Sequence, residues 1–349
     1  MNSVHSRAYL TAGLLWIALA ARVAPAPTQA NPSTTWTVTI VLPPRVMAGH
    51  PATLAVFGVD GKLAAGVTVT LNDGQTLTTD RTGRATFSVP ARGGYLLAKG
   101  SGASVAALID PAAGSSEPNE TTAPPVISLH DRFWVCTEGL RGDADADTVS
   151  ISGEAALVIA ASPECLVALP SSKATSGPAA ISIDAPGTHA TVKATLVALE
   201  FDAPQPALLP GKKSRLDVLV RGSEQKLALV VDNVTPGVLK FLHGDSQEVV
   251  TRGGPQNEAS LDVQAIRAGD YSFRARLIPA PDVLIAQRYL LAAAQLASED
   301  SRSDIRGYAK RIARHPRDVA IVRAQVGDLL RLTIAGDCRT LLNAAWESL

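Results

Sequence analysis

The chain has 349 residues, with 32 Lys plus Arg against 32 Asp plus Glu, so its formal net charge is zero. That balance excludes a dedicated nucleic-acid binder, whose affinity comes from excess Lys and Arg at phosphates. A hydrophobic content of 46% excludes wholesale disorder. The length exceeds what one small fold uses, so about two to four units, each with its own core, are expected.

Residues 1–30 read as a signal peptide. Arg7 supplies the positive start, Ala8 to Ala21 is uncharged and largely apolar, and Thr28-Gln29-Ala30 places small residues at a cleavage site. The apolar run is shorter than the roughly 20 residues a membrane-spanning helix needs. The alternative is an uncleaved N-terminal anchor. No Cys precedes Cys136, so a lipid-anchored lipoprotein is not supported, and no later run resembles a membrane span. The mature protein is therefore expected in the periplasm or the medium. In that oxidising setting Cys136 and Cys165, within one proposed domain, are the natural disulfide pair, with Cys338 left over near the C-terminus. Against this stands the reading of all three as small buried hydrophobes.

From Trp36 to Ile109 apolar residues recur with period two between turns: Trp36, Val38, Ile40 and Leu42; Leu54 to Val59; Val67, Val69 and Leu71; Ala85, Phe87 and Val89; Gly94 to Lys99; Ser104 to Ile109. Asp60-Gly61, Asn72-Asp73-Gly74 and Thr82-Gly83 supply the turns, and the spacing predicts about seven short strands of an antiparallel sandwich over residues 31–110. The stretches Val59-Asp60-Gly61-Lys62, Gly66-Val67-Thr68-Val69 and Thr79 to Phe87 resemble bacterial Ig-like or carboxypeptidase-regulatory-like domains. That resemblance implies a fold and says little about function.

Residues 111–125, rich in Pro, Ala, Ser, Glu and Thr, predict a linker. A second β pattern covers 126–204. Gly139 to Gly142, Thr148 to Gly153, Ala156 to Ile159, Leu166 to Pro170 and Gly177 to Ile183 resemble an IPT/TIG domain, which implies another Ig-type sandwich. The segment before Gly139 departs from the usual short Gly-rich entry of that family. A third strand-rich region, 205–278, carries alternation at Leu216, Val218 and Val220, at Leu227, Leu229 and Val231, and at Phe273, Ala275 and Leu277. It predicts a further sandwich.

The texture changes at Pro279-Ala280-Pro281, and 282–349 reads as a small helical bundle. Asp282 is the expected N-cap of a helix through Ala297, Ser303 or Asp304 starts a second toward Arg314, Pro316 opens a third toward Ile334, and Asp337 to Trp346 adds a short fourth. The first helix is apolar nearly all round and needs cover. Ile305, Ile312, Val319, Val322, Val326, Leu329 and Leu330 supply apolar faces, so packing against the later helices and the adjacent third sandwich is expected.

Asp143, Asp145 and Asp147, with Glu154 at the twelfth place from Asp143, echo a calcium loop, but Thr148 stands where the loop needs Gly and the segment then alternates like a strand. A solvated acidic turn is the competing reading. Arg141-Gly142-Asp143 spells an adhesion tripeptide, and three residues specify little. Ser246, after His243-Gly244-Asp245, lies between β patterns with no nucleophile elbow around it. His50, His130, His189 and His315 are scattered without a metal-binding spacing. Gly253-Gly254 lacks the Lys and Ser or Thr of a phosphate loop. Arg302, Arg306, Lys310 and Arg314, four apart, form one stripe on the second predicted helix, a candidate surface for an anion or partner beside the alternative of a solvated face. Asn119 and Asn233 begin glycosylation sequons that matter only in a eukaryotic host.

No catalytic set, cofactor site or metal set emerges. The chain is read as mainly β: tandem Ig-like antiparallel β-sandwiches followed by a small C-terminal α-helical bundle. Its expected role is a non-enzymatic extracytoplasmic binding or assembly protein of a bacterial envelope, with a protein or glycan partner. A hydrolase or carbohydrate-active enzyme with a site at a domain junction, and an accessory subunit docking through its helices, are the alternatives.

Overall fold

The computed structural model describes residues 38–112, 121–186, 188–202, 210–242, 244–332 and 336–349. The expected signal peptide, most of the expected linker, Asn119, His243 and Ile334 lie outside them. The first region forms β1 (Thr39–Val41), β2 (Arg45–Met47), β3 (Pro51–Phe57), β4 (Thr68–Leu71), β5 (Thr76–Thr78), β6 (Arg84–Ser88), β7 (Tyr95–Gly100) and β8 (Ala103–Asp110). Among the described residues this region has eight strands where about seven are predicted, because Pro43-Pro44 separates β1 from β2, which crosses to the other sheet. One sheet runs β1-β3-β6 and the other β2-β8-β7-β4-β5, with β2 and β8 parallel. Leu54, Val56, Val69, Phe87, Leu96 and Ile109 fill the space between them.

The second region forms β9 (Val126–Ser128), β10 (Phe133–Cys136), β11 (Thr148–Ile151), β12 (Glu154–Ala161), β13 (Cys165–Leu169), β14 (Gly177–Ala185) and β15 (Thr188–Asp202). The same device recurs: β9 pairs in parallel with β15, as β2 does with β8. β12 starts beside β11 and continues beside β13, with a register shift between Val158 and Ala160. Cys136 and Cys165 stand opposite each other on β10 and β13 and are disulfide-bonded, while Cys338 is a buried free thiol.

β15 does not end with the second sandwich. Its first part pairs with β14 and β9, and residues Ala198 to Asp202 pair with β16 (Lys213–Arg221) of the third. No turn therefore separates the two, although the sequence pattern sets a boundary near residue 204. Gly222, just after β16, has φ +93°, and a Cβ there would meet the Leu196 carbonyl oxygen at 2.5 Å. The junction requires glycine. The third region continues with β17 (Ala228–Asn233), β18 (Leu239–Phe241), β19 (Ser246–Val250), β20 (Glu258–Ala265) and β21 (Phe273–Leu277). Its sheets are the end of β15 with β16, β20 and β18, and β19-β17-β21.

Among the described residues four α-helices follow: α1 (Val283–Leu296), α2 (Glu299–Arg314), α3 (Val319–Arg331) and α4 (Asp337–Ser348). Asp282 caps α1, its Oδ1 accepting from the Ile285 amide at 3.0 Å. α2 begins a turn before the predicted start, at Glu299, where Glu299 and Asp300 complement the positive end of the helix. The larger correction concerns cover. The helical core of Ala286, Tyr289, Leu290, Ala293, Ile305, Ile312, Val322, Val326 and Leu341 is continuous with Leu97, Ala106 and Leu108 of the first sandwich, not with the core of the third. The reason lies in β7 and β8. Leu96, Ala98, Ala107 and Ile109 face the core of their own sandwich, and Leu97, Ala106 and Leu108 are equally apolar on the other face. A strand apolar on both faces needs cover on both.

Two outcomes test this arrangement. Leu290→Ala empties a fully buried site and is expected to cost about 2 to 5 kcal/mol in chemical denaturation. It should also raise amide exchange in β7 and β8, while exchange confined to the third sandwich would overturn the docking. Cys136→Ser opens a loop that constrains the unfolded chain by roughly 3 to 4 kcal/mol. The expected loss of melting temperature appears under oxidising conditions and vanishes in reductant.

Candidate functional site

The most elaborated polar constellation lies where the first sandwich, the second sandwich and α1 meet. Asp110 ends the apolar strand β8, Arg45 opens β2 beside it, Glu164 precedes β13, and Arg288 lies on α1. The Arg45 Nε donates to Asp110 Oδ2 at 2.6 Å, and the Arg288 Nη1 lies 2.6 Å from Asp110 Oδ1. Arg45 Nη2 is 3.6 Å from Glu164 Oε1, and Arg288 Nη2 donates to the Ile109 carbonyl at 3.0 Å. Ser162, fully buried, donates to the Arg45 carbonyl at 2.7 Å and accepts from the Cys165 amide at 2.9 Å. Above them the buried Tyr289 hydroxyl donates to the Ala106 carbonyl at 3.3 Å.

Two carboxyl groups thus share one buried place. Burial, then the hydrogen bond to Asp110 and its negative charge, push the Glu164 carboxyl up to about 7, against the opposing charges of Arg45 and Arg288. Burial alone would raise Asp110 too, but hydrogen bonds from Glu164 and Arg45 and the charges of Arg45 and Arg288 hold it below the usual carboxylate range. Glu164 Oε2 is buried without a donor. Holding a proton lets Glu164 donate to Asp110 in place of two facing negative charges, which is why its carboxyl is raised.

A second junction uses the acidic loop. Asp143 Oδ1 accepts from the Asp145 amide at 3.0 Å, Asp145 pairs with Arg84 of the first sandwich, and buried Asp147 accepts from the Arg141 amide at 2.9 Å. Glu154 sits beyond β11, at the start of β12. The calcium candidates Asp143, Asp145 and Asp147 therefore face different partners, and among the described residues no group of three such side chains is placed to hold a metal ion. Arg84 also donates to the Val158 carbonyl at 2.6 Å. Gly142, centre of the adhesion-like tripeptide, accepts from the Thr53 hydroxyl at 2.9 Å, and a Cβ on it would meet the Pro51 carbonyl oxygen at 2.1 Å. This tripeptide is an inter-sandwich contact. Around it Thr53 pairs with Ala161, joining β3 to β12, while Val41, Ala55, Ile159, Ala160 and Val167 form an apolar seam.

The basic stripe on α2 divides. Arg306, Lys310 and Arg314 are exposed, whereas Arg302 is half-buried and donates to the Ala297 carbonyl at 3.0 Å. Arg323 of α3 spans the gap to the third sandwich, pairing with Glu248 at 2.9 Å and stacking on Trp346 of α4 at 4.4 Å. Ser246 begins β19 and donates to Asp232 at 2.8 Å. His189 pairs with Asp184 across a hairpin.

The sequence pattern did not reveal the junction cluster. Its one local signal is a charged residue, Asp110, closing a run of apolar residues, and the partners are far apart in the chain: 65 residues separate Arg45 from Asp110.

No protein-family model matches the chain, and no curated protein matches it. Among solved structures it is similar to the Bacteroides ovatus mixed-linkage glucan utilization locus protein SGBP-B in complex with a mixed-linkage heptasaccharide, at 12% identity and a TM-score of 0.23, covering 74% of this chain and 76% of that one. It is similar to the four N-terminal Ig domains of Dscam1 isoform 6.44, at 11% identity and a TM-score of 0.23, covering 67% and 73%. Domains 4 and 5 of the S-layer protein SbsC match at 12% identity and a TM-score of 0.17, covering 38% and 70%. Similarity at this level carries no argument about what the chain binds.

The raised Glu164 carboxyl makes the junction pH-dependent. Its folded value lies above the unfolded value of 4.5, so the folded state holds the extra proton between about 4.5 and about 7. The stability from this group is complete below that window and is lost as pH rises through it. Glu164→Gln keeps the donor and removes the charge. It should raise the melting temperature on the order of 5 °C at pH 8 and change it little at pH 5. An equal shift at both pH values would refute a neutral Glu164.

Proposed function

We propose that this chain is a non-enzymatic binding or assembly protein of a bacterial cell envelope, exported by its signal peptide and working in the periplasm or medium on a protein or glycan partner. The observation that carries the reading is how the reactive groups are used. Asp110, Glu164, Arg45, Arg288, Asp145, Arg84 and Ser162 are engaged in joining sandwiches and helices to one another. A scaffold held at each junction by ion pairs and apolar seams presents loops, sheet edges and helix faces in fixed relative positions, which suits recognition of an extended partner.

A hydrolase with a site at the domain junction is the competing reading, because Asp110 and Glu164 are paired carboxyls with separated protonation. Their side chains are only 9% and 11% exposed and sit against two arginines, so a substrate has little access to them. Docking through the helices is a second competing reading: their buried faces pack on one another and on β7 and β8, while Leu284, Leu291 and Leu296 of α1 and Ile321 of α3 stay exposed.

The test uses the mature chain from Asn31, incubated with envelope extract and with purified cell-wall glycans. Saturable capture of one protein or glycan fraction, recovered chemically unchanged, is expected. Turnover of a chromogenic ester or glycoside that Glu164→Gln abolishes would overturn the reading in favour of the hydrolase.

A further inference from the structure

The third sandwich departs from the first two at one sheet edge. In the first, β8 lies along the outer edge of β7, and in the second, β15 lies along the outer edge of β14. In the third, β21 occupies the position of β7 and β14, and among the described residues no strand pairs with its outer edge. The chain leaves β21 through Ile278 and then Pro279-Ala280-Pro281, which cannot extend a ladder, and enters α1.

The register shows what that edge offers. The Val234 amide donates to the Ser272 carbonyl, and the Ile278 amide to the Ala228 carbonyl, so alternate residues of β21 bond to β17. Phe273, Ala275 and Leu277 fall on the other parity, and their backbone N–H and C=O groups point away from β17. Their side chains face the core, yet all three remain partly exposed. The corresponding residues Leu96 and Ala98 of β7, and Ile181 and Ile183 of β14, are fully buried. Leu199 and Phe201 at the end of β15 are likewise half-buried, and the Phe201 and Phe273 rings are 5.7 Å apart. Among the described residues this backbone edge therefore has no strand paired to it, although β9 approaches β21 and Asp131, in the turn after β9, pairs with Arg274, and it runs beside a core that is incompletely covered.

We propose that the outer edge of β21 accepts an extended segment of a partner protein as the missing last strand. The segment bonds to the backbone of Phe273, Ala275 and Leu277 and adds alternate apolar side chains to the core near Phe201 and Phe273. Charge selects the occupant. Arg274 and Arg276 project from the opposite face and are 57% and 40% exposed, each with one acidic neighbour, Asp131 and Asp232. A second copy pairing antiparallel about Ala275 sets Arg274 against Arg276, which is unfavourable. A segment alternating apolar and acidic residues satisfies both faces. The proposal deepens the binding role and rests on it.

The test uses the full mature chain and a dye-labelled, end-capped synthetic peptide of about eight residues alternating Val and Glu, with a Val and Lys peptide as control. Fluorescence polarisation should show saturable binding, with the Val and Glu peptide roughly tenfold tighter. Ala275→Pro removes an outward N–H without touching a bond to β17, so it should weaken binding roughly tenfold while leaving the melting temperature in place. Arg274→Glu, on an exposed side chain, should reverse the preference between peptides and serves if the proline variant does not fold. Absence of binding by both peptides, or binding indifferent to both variants, overturns the proposal. So does a concentration-dependent dimer lost in Ala275→Pro, which would give the edge to a second copy. A natural partner whose capture survives Ala275→Pro overturns the strand site and leaves the binding role intact.

Discussion

Burial on both faces of a strand is the constraint from which the rest of this structure follows. An ordinary sandwich strand hides one face and wets the other. Here β3, β7, β8, β12 and β13 carry apolar residues on both, so the first and second sandwiches must find cover outside themselves. The outer faces of β3 and β1 meet those of β12 and β13, with Ala55, Ile159 and Ala160 between them. The outer faces of β7 and β8 meet the helices. The C-terminal bundle is thereby brought back to the first sandwich, although the third precedes it in the chain.

Polar groups fix the geometry of these seams. Apolar faces attract without direction, whereas the Arg45–Asp110–Arg288 arrangement, the Arg84–Asp145 pair and the Thr53–Gly142 hydrogen bond each admit one register. Breaking one partner of such a buried set leaves an uncompensated charge, so these residues define the arrangement more than they add to its stability. The raised Glu164 carboxyl follows from the same crowding. The shared strand β15 and the close approach at Gly222 complete the chain of junctions.

Much of the local structure was legible before any tertiary contact was known. Period-two alternation located the strands, Asp282 and the Pro-Ala-Pro run located α1, and the turn residues separated the hairpins, because each depends on a few neighbouring residues. Legibility failed where a partner was distant. The runs Gly94 to Lys99 and Ser104 to Ile109 read as ordinary sandwich strands, and that Leu96 to Ala98 and Ala106 to Ile109 are buried on both faces emerges only in the fold. The α2 start was missed by a turn, since Glu299 and Asp300 act through the helix end and not through the apolar period.

The candidate functional features divide along the same line. By itself the sequence determined a neutral, mainly β, multi-domain chain with a helical end and no local catalytic motif, since composition, period and turn chemistry act over short distances. Only the tertiary structure decided that Asp110 and Glu164 share a buried place, that Asp145 pairs with Arg84 across a junction while Asp143 and Asp147 bond within their own loop, and that the outer edge of β21 is unpaired among the described residues. The physical reason is that pairing of charges and of strand edges depends on which surfaces meet in space, and that is set by the cover each two-faced strand finds.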